Sequence, residues 1–275
     1  MARIRDITPA FEAFARKAFV ESPINRDQLW ERRYEAAEPD VFEAFYGCIG
    51  EKAGRAAVVR ELSLVRERAR AAVTAVSSAI EELEPVVREM LGVAPEPSPL
   101  HVLMVGPYST NAIVGRLGDD VTLFHCLEWY HHSQATGVLV AHEDAHAWHE
   151  LALGKPVPED DVAAMAFAEG MAIQVSRAAV PGRAEDEYFW YGHEGFEAWL
   201  PWCQEHHDEL LARFAAEVDA ESAADTWFGS GLVEQQWRVG YYVADQLVAG
   251  LGRPPSEMVA MSIDDGKAAI RAALA

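Results

Sequence analysis

Gly137-Val-Leu-Val-Ala-His-Glu-Asp-Ala-His-Ala-Trp-His149 is the stretch of sequence that decides the fold. Four apolar residues precede its first histidine, which predicts a helix buried beneath a sheet. An α-helix turns by about 100° per residue, so His142 and His146, four positions apart, lie on one face of it. Two imidazoles in this arrangement can bind the same small cation. The stretch therefore predicts a buried helix that carries part of a metal site.

Glu143 follows the first histidine and completes the pattern His-Glu-x-x-His, which is typical of zinc hydrolases. In such a site the glutamate lies beside the metal and takes a proton from the water that the metal binds. The alternative is an accidental match of the pattern on an ordinary amphipathic helix. A third ligand at a suitable place in the sequence favours the metal site over the accidental match.

A catalytic zinc site needs a third protein ligand, and Glu169 is the better of two candidates. His149 lies a further turn along the helix, where its ring is too remote to complete one tetrahedron. Glu169 lies in a second predicted helix that starts around Asp160, after a short turn at residues 155–158. At a rise of about 1.5 Å per residue, antiparallel packing of the two helices places Glu169 at a height between the two histidines.

The neighbours of Glu169 give an independent argument. Three apolar residues share its face of the helix: Val162, Ala166 and Ile173. An acid in such a stripe costs several kcal/mol unless it is paired or bound to a cation. The small Gly170 and Ala172 would allow the two helices to approach each other. The alternative is a Glu169 that pairs with an arginine such as Arg177, or that is simply solvated.

The first third of the chain is predicted to be helical throughout. Thr8 and Pro9 are suited to the N-cap and first position of the first helix. Further helices are expected at residues 25–37, 40–48 and 53–91. The last of these is expected to break near Pro85, because proline removes a backbone donor from a helix.

A small sheet is predicted between this helical third and the metal-site helix. Residues 101–106 have the pattern of a buried strand, and residues 111–117 and 121–127 that of a hairpin around a turn at residues 118–120. Ser133 is suited to cap the metal-site helix that follows. The predicted fold class is α+β and predominantly helical, with a zincin-like small sheet packed on the metal-site helix.

The predicted division of the chain falls at the Pro-rich linker of residues 94–99. Residues 1–96 form the helical region before it. Residues 97–275 form the region that carries the metal site, with the sheet and metal-site helix in 97–153 and a helical lobe in 154–275. We expect the two regions to form one compact unit.

The composition excludes several classes of partner. The formal net charge is −21, and such a surface repels nucleic acid and anionic membranes. No apolar run reaches membrane-spanning length, and residues 1–20 lack the apolar stretch of a signal peptide. The three cysteines are widely spaced and odd in number, which does not suit a disulfide framework. We therefore expect a cytoplasmic protein with reduced thiols.

The motifs together resemble a known group of enzymes. His142-Glu-x-x-His146 followed by Glu169-Gly-x-Ala172 is similar to the glutamate-liganded zinc peptidases, the gluzincins. More narrowly, it resembles a bacterial family of predicted zinc-dependent proteases. The resemblance covers roughly residues 100–275.

The narrower family has further features that can be sought in this sequence. In that family a strand–hairpin–helix order precedes the motif, and a Gly-Tyr pair lies on a late helix, which Gly240-Tyr241 matches here. The sequence departs from the family at Asp144, where an aromatic or apolar residue is common. It departs again at Ala244, where a glycine is usual.

The resemblance implies a zinc-dependent hydrolase that cleaves a peptide or related amide bond. It implies Zn²⁺ bound by His142, His146 and Glu169, with Glu143 as the general base that later returns the proton to the leaving amine. It also implies Tyr241 as the group that stabilises the developing oxyanion. Two other residues are the alternatives for that last role: Tyr242 and His193.

Two other classes of function compete with hydrolysis. The first is a non-catalytic metal-binding or regulatory protein, against which the intact Glu143 argues. The second is a di-iron carboxylate oxygenase built on Glu128-x-x-His131 and Glu143-x-x-His146. These two pairs are only fifteen residues apart, and Glu128 follows a strand pattern. A di-iron bundle instead needs its pairs on separate long helices.

Overall fold

The computed structural model describes residues 2–49, 55–130, 135–220 and 223–275. Over these residues the fold is α+β and predominantly helical, as the sequence predicts. The helices of the first third are α1 (Thr8–Ala18), α2 (Pro23–Leu29), α3 (Pro39–Ile49), α4 (Arg55–Arg60) and α5 (Leu62–Leu91). A π turn (Trp30–Tyr34) and a 3₁₀ turn (Glu35–Ala37) connect α2 to α3.

The main sheet has four strands: β1 (Arg3–Asp6), β2 (Leu100–Met104), β3 (Ala112–Leu117) and β4 (Asp120–Cys126). Their order across the sheet is β1-β2-β4-β3. β1, β2 and β4 run parallel to one another, and β3 pairs antiparallel with β4 as the predicted hairpin. β3 is therefore an edge strand of the described sheet.

The prediction that residues 1–96 are helical throughout is wrong at β1. Its four residues contain a single apolar side chain, Ile4, and so carry no strand pattern of their own. β1 forms because the edge of β2 accepts it, and the Arg3 guanidinium pairs with Asp120 at 2.7 Å. The strand brings the N-terminal region into the same sheet as the region that carries the histidines.

Two helix boundaries in the first third also differ from the prediction. Thr8 is the first residue of α1 and not its N-cap, and its hydroxyl donates to Asp6 at 2.7 Å. α5 continues through Pro85, and the break occurs earlier, between α4 and α5. Ile80 and Val87 are fully buried on either side of the proline, so packing holds the helix continuous despite the lost hydrogen bond.

The metal-site helix and its partner are close to their predicted bounds. α6 (Thr136–Leu153) ends at Gly154, which adopts a left-handed conformation with φ 68°. α7 (Val162–Ala179) begins after Asp161, whose carboxylate accepts the backbone N–H of Ala164 at 3.0 Å. The predicted cap at Ser133 lies outside the described residues.

α6 and α7 pack against each other in antiparallel orientation. α6 also packs against the sheet, through β3 and β4. The start of α6 at Gly137 lies against Val180, just after α7. Towards its other end, the His149 ring lies 6.1 Å from that of Phe167. α6 also contacts β3, β4 and α5, which explains why its apolar residues are buried on nearly every side.

The rest of the chain forms short helices and one hairpin. The elements are α8 (Glu187–Trp190), α9 (Trp199–Glu205), α10 (His207–Glu217), α11 (Ala223–Trp227), β5 (Leu232–Val233), β6 (Gln236–Trp237), α12 (Val239–Gly250), α13 (Pro255–Met258) and α14 (Ile263–Ala273). None of the described helices is long and apolar enough to cross a lipid bilayer. The three cysteines are free, as the sequence predicts.

The close approach at Gly170 is to α12 and not, as the sequence suggested, to α6. A β-carbon on Gly170 would overlap the backbone oxygen of Ala244 and lie 2.5 Å from a methyl of Val248. Arg177 lies in the last turn of α7. Its side chain pairs with Asp245 of α12 at 2.8 Å. α12 is thereby held tightly against α7.

We expect Gly170→Ala to destabilise the protein by about 1–3 kcal/mol, because the added methyl overpacks the α7–α12 contact. The higher helix propensity of alanine, worth up to about 1 kcal/mol, does not offset this. Urea denaturation measures the difference. Gly250→Ala is the matched control, since no atom lies within 4 Å of a β-carbon there. Equal stability of the two variants would show that the contact at Gly170 is not tight.

Candidate metal centre

Three side chains from α6 and α7 converge on one point. Nε2 of His142 lies 3.1 Å from Nε2 of His146 and 3.1 Å from Oε2 of Glu169, and the third distance is 3.3 Å. The side chains are 2%, 18% and 12% exposed for His142, His146 and Glu169. The structure thus brings together the three residues that the sequence predicts as ligands.

The triangle of donor atoms fits a tetrahedral zinc ion. Nitrogen and carboxylate ligands lie about 2.0–2.1 Å from zinc, so two ligands of one tetrahedron are roughly 3.3–3.4 Å apart. The observed edges of 3.1–3.3 Å are close to this value. Within the described ranges, these are the residues whose ligand atoms form such a group. His149 is buried against Phe167 and is not part of it.

The charges at the site also favour a cation. Burial by itself would raise the pKa of Glu169, but His146 and His142 hold that pKa well below its usual range. Burial lowers the pKa of His142 to about 4, so this imidazole is neutral. Burial also acts to lower the pKa of His146, but the nearby Glu169 raises it above its usual value. The alternative partner, Arg177, pairs with Asp245 instead. A carboxylate and two imidazoles that face one another are suited to share one metal ion.

Glu143 lies beside this triangle without belonging to it. Its place next to His142 turns it by about 100° around the helix axis, towards a cleft that it lines. Burial raises the pKa of Glu143 to about 7, while His146 and Arg238 act in the opposite direction. A cation at the three ligands would lower this pKa further. Glu143 is therefore placed to exchange a proton near neutral pH.

The metal ligands form the floor of a cleft with a volume of about 510 Å³. One wall is the edge strand β3, which contributes Ala112 and Val114. The opposite wall comes from the C-terminal part of the chain and includes Tyr191, Arg238 and Tyr241. Its volume is in the range of pockets that bind small-molecule ligands.

Of the three candidates for the oxyanion role, Tyr241 lines the cleft. It lies in the first turn of α12, and burial raises its pKa well above the usual range, so that its hydroxyl stays protonated. The Tyr242 hydroxyl instead lies 3.0 Å from Nδ1 of His207. The His193 ring packs 5.8 Å from that of Trp129 and is not among the residues that line the cleft.

Two residues that line the cleft, Tyr191 and Arg238, were not predicted as site residues, although the aromatic-rich segment 188–196 was a possible pocket lining. The Tyr191 ring lies 5.6 Å from that of His142, and the Arg238 guanidinium lies 4.0 Å from the centre of the Tyr241 ring. Both residues have positive φ, 53° and 59°, which non-glycine residues rarely adopt. The only sequence signal was the aromatic density around Tyr191. Nothing in the pattern distinguished Arg238 from a surface arginine.

No family model, curated protein or solved structure matches this chain.

Asp144, where the sequence departs from the family pattern, lies away from the cleft. It is fully buried, with Oδ1 3.7 Å from Nε2 of His101 on β2. Nδ1 of His101 lies 3.1 Å from Nε2 of His125, whose Nδ1 lies 2.7 Å from the Tyr130 hydroxyl. Burial raises the pKa of Asp144 well above its usual range. The departure thus belongs to a buried polar layer between the sheet and α6.

Glu128, which the di-iron alternative requires, is bonded to backbone. Its carboxylate accepts the N–H of Gly106 at 2.8 Å and that of Tyr108 at 3.2 Å. It lies in a 3₁₀ turn (Leu127–Trp129) after β4, whereas a di-iron bundle places such residues on long helices. Its predicted partner His131 lies outside the described residues.

Proposed function

We propose that the protein is a zinc-dependent hydrolase that cleaves a peptide or related amide bond, with a zincin-like arrangement of sheet and metal helix. The observation that carries the proposal is the tetrahedron-sized triangle of His142, His146 and Glu169, with Glu143 beside it in an open cleft. The resemblance to gluzincins and to the bacterial predicted zinc-dependent proteases supports the same proposal.

Different residues of the cleft have different roles in hydrolysis. A zinc ion at the three ligands would polarise the scissile carbonyl and lower the pKa of water. Glu143 takes the proton from the attacking water and returns it to the leaving amine. Burial raises the pKa of Glu143 and a bound cation would lower it again, so the ionised form is available to accept a proton.

Tyr241 completes the reaction by donating a hydrogen bond to the developing oxyanion. Its hydroxyl stays protonated because burial raises its pKa, and Arg238 lies against its ring. A donor fixed before the reaction stabilises the charged transition state more than the neutral substrate.

The edge strand β3 supports a peptide as the substrate. Among the described residues no strand pairs with the outer side of β3, which contributes Ala112 and Val114 to the cleft. An extended peptide can add to a free strand edge through backbone hydrogen bonds. Such binding would orient an amide bond along the cleft above the metal ligands.

We expect Tyr241→Phe to lower kcat by ~10²–10³-fold with little change in KM, because the hydroxyl acts on the transition state. Steady-state kinetics on a cleaved peptide measures both constants. Tyr242→Phe is the matched control, since that hydroxyl lies against His207 and away from the cleft. If both variants turn over like the unmodified protein, Tyr241 has a packing role only.

An unbiased peptide-library digest read by mass spectrometry tests the proposed function. We expect cleavage by the zinc-loaded protein, no cleavage with a chelator, and recovery when zinc is added back. Glu143→Gln, loaded with zinc in the same way, controls for contaminating peptidases. A protein that binds zinc but cleaves no peptide or simple amide would favour the non-catalytic alternative.

A further inference from the structure

We propose that Arg238 is a receptor for a carboxylate of the substrate, so that the enzyme acts on amide bonds next to a free carboxylate. The inference rests on the proposed function and names a substrate class for it. The carboxylate is either the C-terminus of a peptide or the side chain of a neighbouring acidic residue. Both present the same planar anion to the guanidinium.

Arg238 lies among aromatic side chains and makes no direct ion pair with the acids of the described residues. Its guanidinium carbon lies 4.0–5.9 Å from the ring centres of four aromatic residues: Trp190, Tyr191, Trp237 and Tyr241. Within the described part of the chain it forms no ion pair, although Glu169 and Glu143 interact with its charge at longer range. Tyr191 is a side-chain hydrogen-bond partner of the guanidinium, while its buried Nε has no partner. Burying a cation that makes no direct ion pair is costly, so an anionic ligand in contact with the guanidinium would stabilise it.

The other arginines near this part of the fold do not share this property. Arg177 pairs with Asp245 at 2.8 Å and Arg213 pairs with Glu217 at 2.9 Å. The aromatic rings hold the plane of the Arg238 guanidinium in place. A planar guanidinium with fixed orientation can bind a carboxylate through two parallel hydrogen bonds.

The position of Arg238 ties it to the reaction centre. It lines the same cleft as His142, Glu143 and Glu169, and its charge affects the pKa values of His142 and Glu143. Tyr191 contacts both the His142 ring and the Arg238 guanidinium. A carboxylate bound at Arg238 would therefore lie in the same cleft as the scissile bond and close to it.

The charge of the loaded site also favours an anion at this place. A divalent cation and Arg238 carry three positive charges, against two negative charges on Glu143 and Glu169. Arg238 is the sole lysine or arginine among the residues that line the cleft. Three further acids line it: Glu150, Glu159 and Asp225. Glu150 pairs with Arg116 at 3.2 Å, but Glu159 and Asp225 would repel a substrate carboxylate near them, which favours a position beside Arg238.

Two matched pairs of N-acetylated tetrapeptides test the inference. One pair shares a cleavable sequence and ends in either a free carboxylate or an amide. The other pair ends in an amide and has Glu or Gln next to the scissile bond. We expect at least ~10-fold higher kcat/KM for the carboxylate member of one pair, since hydrogen bonds between charged groups are strong. The pair that discriminates identifies the source of the carboxylate.

Arg238→Gln should reduce this ratio to about one, and Arg238→Lys should keep part of it, because lysine keeps the charge but not the planar fork. A ratio near one in both pairs for the unmodified protein would overturn the inference whether or not the variants fold. An unchanged ratio in Arg238→Gln would overturn it as well, since Arg238 would then act only through packing.

Calorimetric binding of the same peptides to zinc-loaded Glu143→Gln separates this inference from the proposed function. A carboxylate preference in binding that Arg238→Gln abolishes supports the receptor even if the unmodified protein cleaves nothing, in which case hydrolysis is the part that fails. Cleavage of peptides without any carboxylate preference leaves hydrolysis standing and removes the receptor.

Discussion

Glu143→Gln should fold, retain zinc and bind substrate, while its turnover falls by ~10²–10⁴-fold, the range of a lost general base. Glutamine keeps the shape of the side chain and most of its hydrogen bonds, but it removes the oxygen that accepts a proton. Glu143 lines the cleft beside the three ligands without belonging to their triangle, so the metal site should be unaffected. Single-turnover kinetics, with zinc content measured on the same sample, gives the result.

The pH profile gives a second measure of the same role. Burial raises the pKa of Glu143 to about 7, and a bound cation lowers it again. The ionised form of Glu143 is the base. The kcat/KM of the unmodified protein should therefore fall as the pH drops below the pKa that Glu143 has in the zinc-loaded enzyme. That acidic limb should be absent from the residual activity of Glu143→Gln. A variant that loses its zinc, or one that remains fully active, would show that Glu143 has another role.

Glu169→Ala should lose most of its zinc and all measurable activity, since two histidines alone leave the tetrahedron incomplete. The carboxylate supplies the only negative charge in the triangle with His142 and His146. Mass spectrometry of the metal content after dialysis against a weak chelator measures the loss. His149→Ala is the matched control, because that imidazole lies on the same helix but packs against Phe167. Full zinc in Glu169→Ala with loss in His149→Ala would make His149 the third ligand.

Thermal stability provides an independent readout of the same site. A ligand that binds only the folded state stabilises it by ~2.7 kcal/mol at one hundred times its dissociation constant. Zinc should therefore raise the Tm of the unmodified protein and leave that of Glu169→Ala nearly unchanged. Removing zinc from the unmodified protein should give the Tm of the apo form. This comparison needs no substrate and tests the ligands even where the reaction is unknown.

Much of the metal centre follows from the sequence because helices are rigid and their geometry is regular. The four-residue spacing of His142 and His146 places both rings on one face of α6. The turn between α6 and α7 is short, so the height of Glu169 opposite them can be calculated from the rise per residue. The hairpin of β3 and β4 also follows from local signals, since its turn and its alternating residues are adjacent in the chain.

The resemblance to a family led to Tyr241, which local pattern could not have distinguished from Tyr242. The two tyrosines are neighbours on α12, and a helix turns their side chains about 100° apart. The packing of α12 against α7, where Gly170 contacts the backbone of Ala244, decides which of the two tyrosines lines the cleft.

The tertiary structure alone decided the features that depend on contacts between residues distant in the sequence. β1 exists because β2 offers it an edge almost a hundred residues away, while its own four residues carry no pattern. Arg238 and Tyr191 reach the cleft through left-handed backbone conformations that only the surrounding packing can hold. Periodicity along the chain fixes which residues share one element. The approach of separate elements, which sets the opposite wall of the cleft, depends on how their side chains pack together.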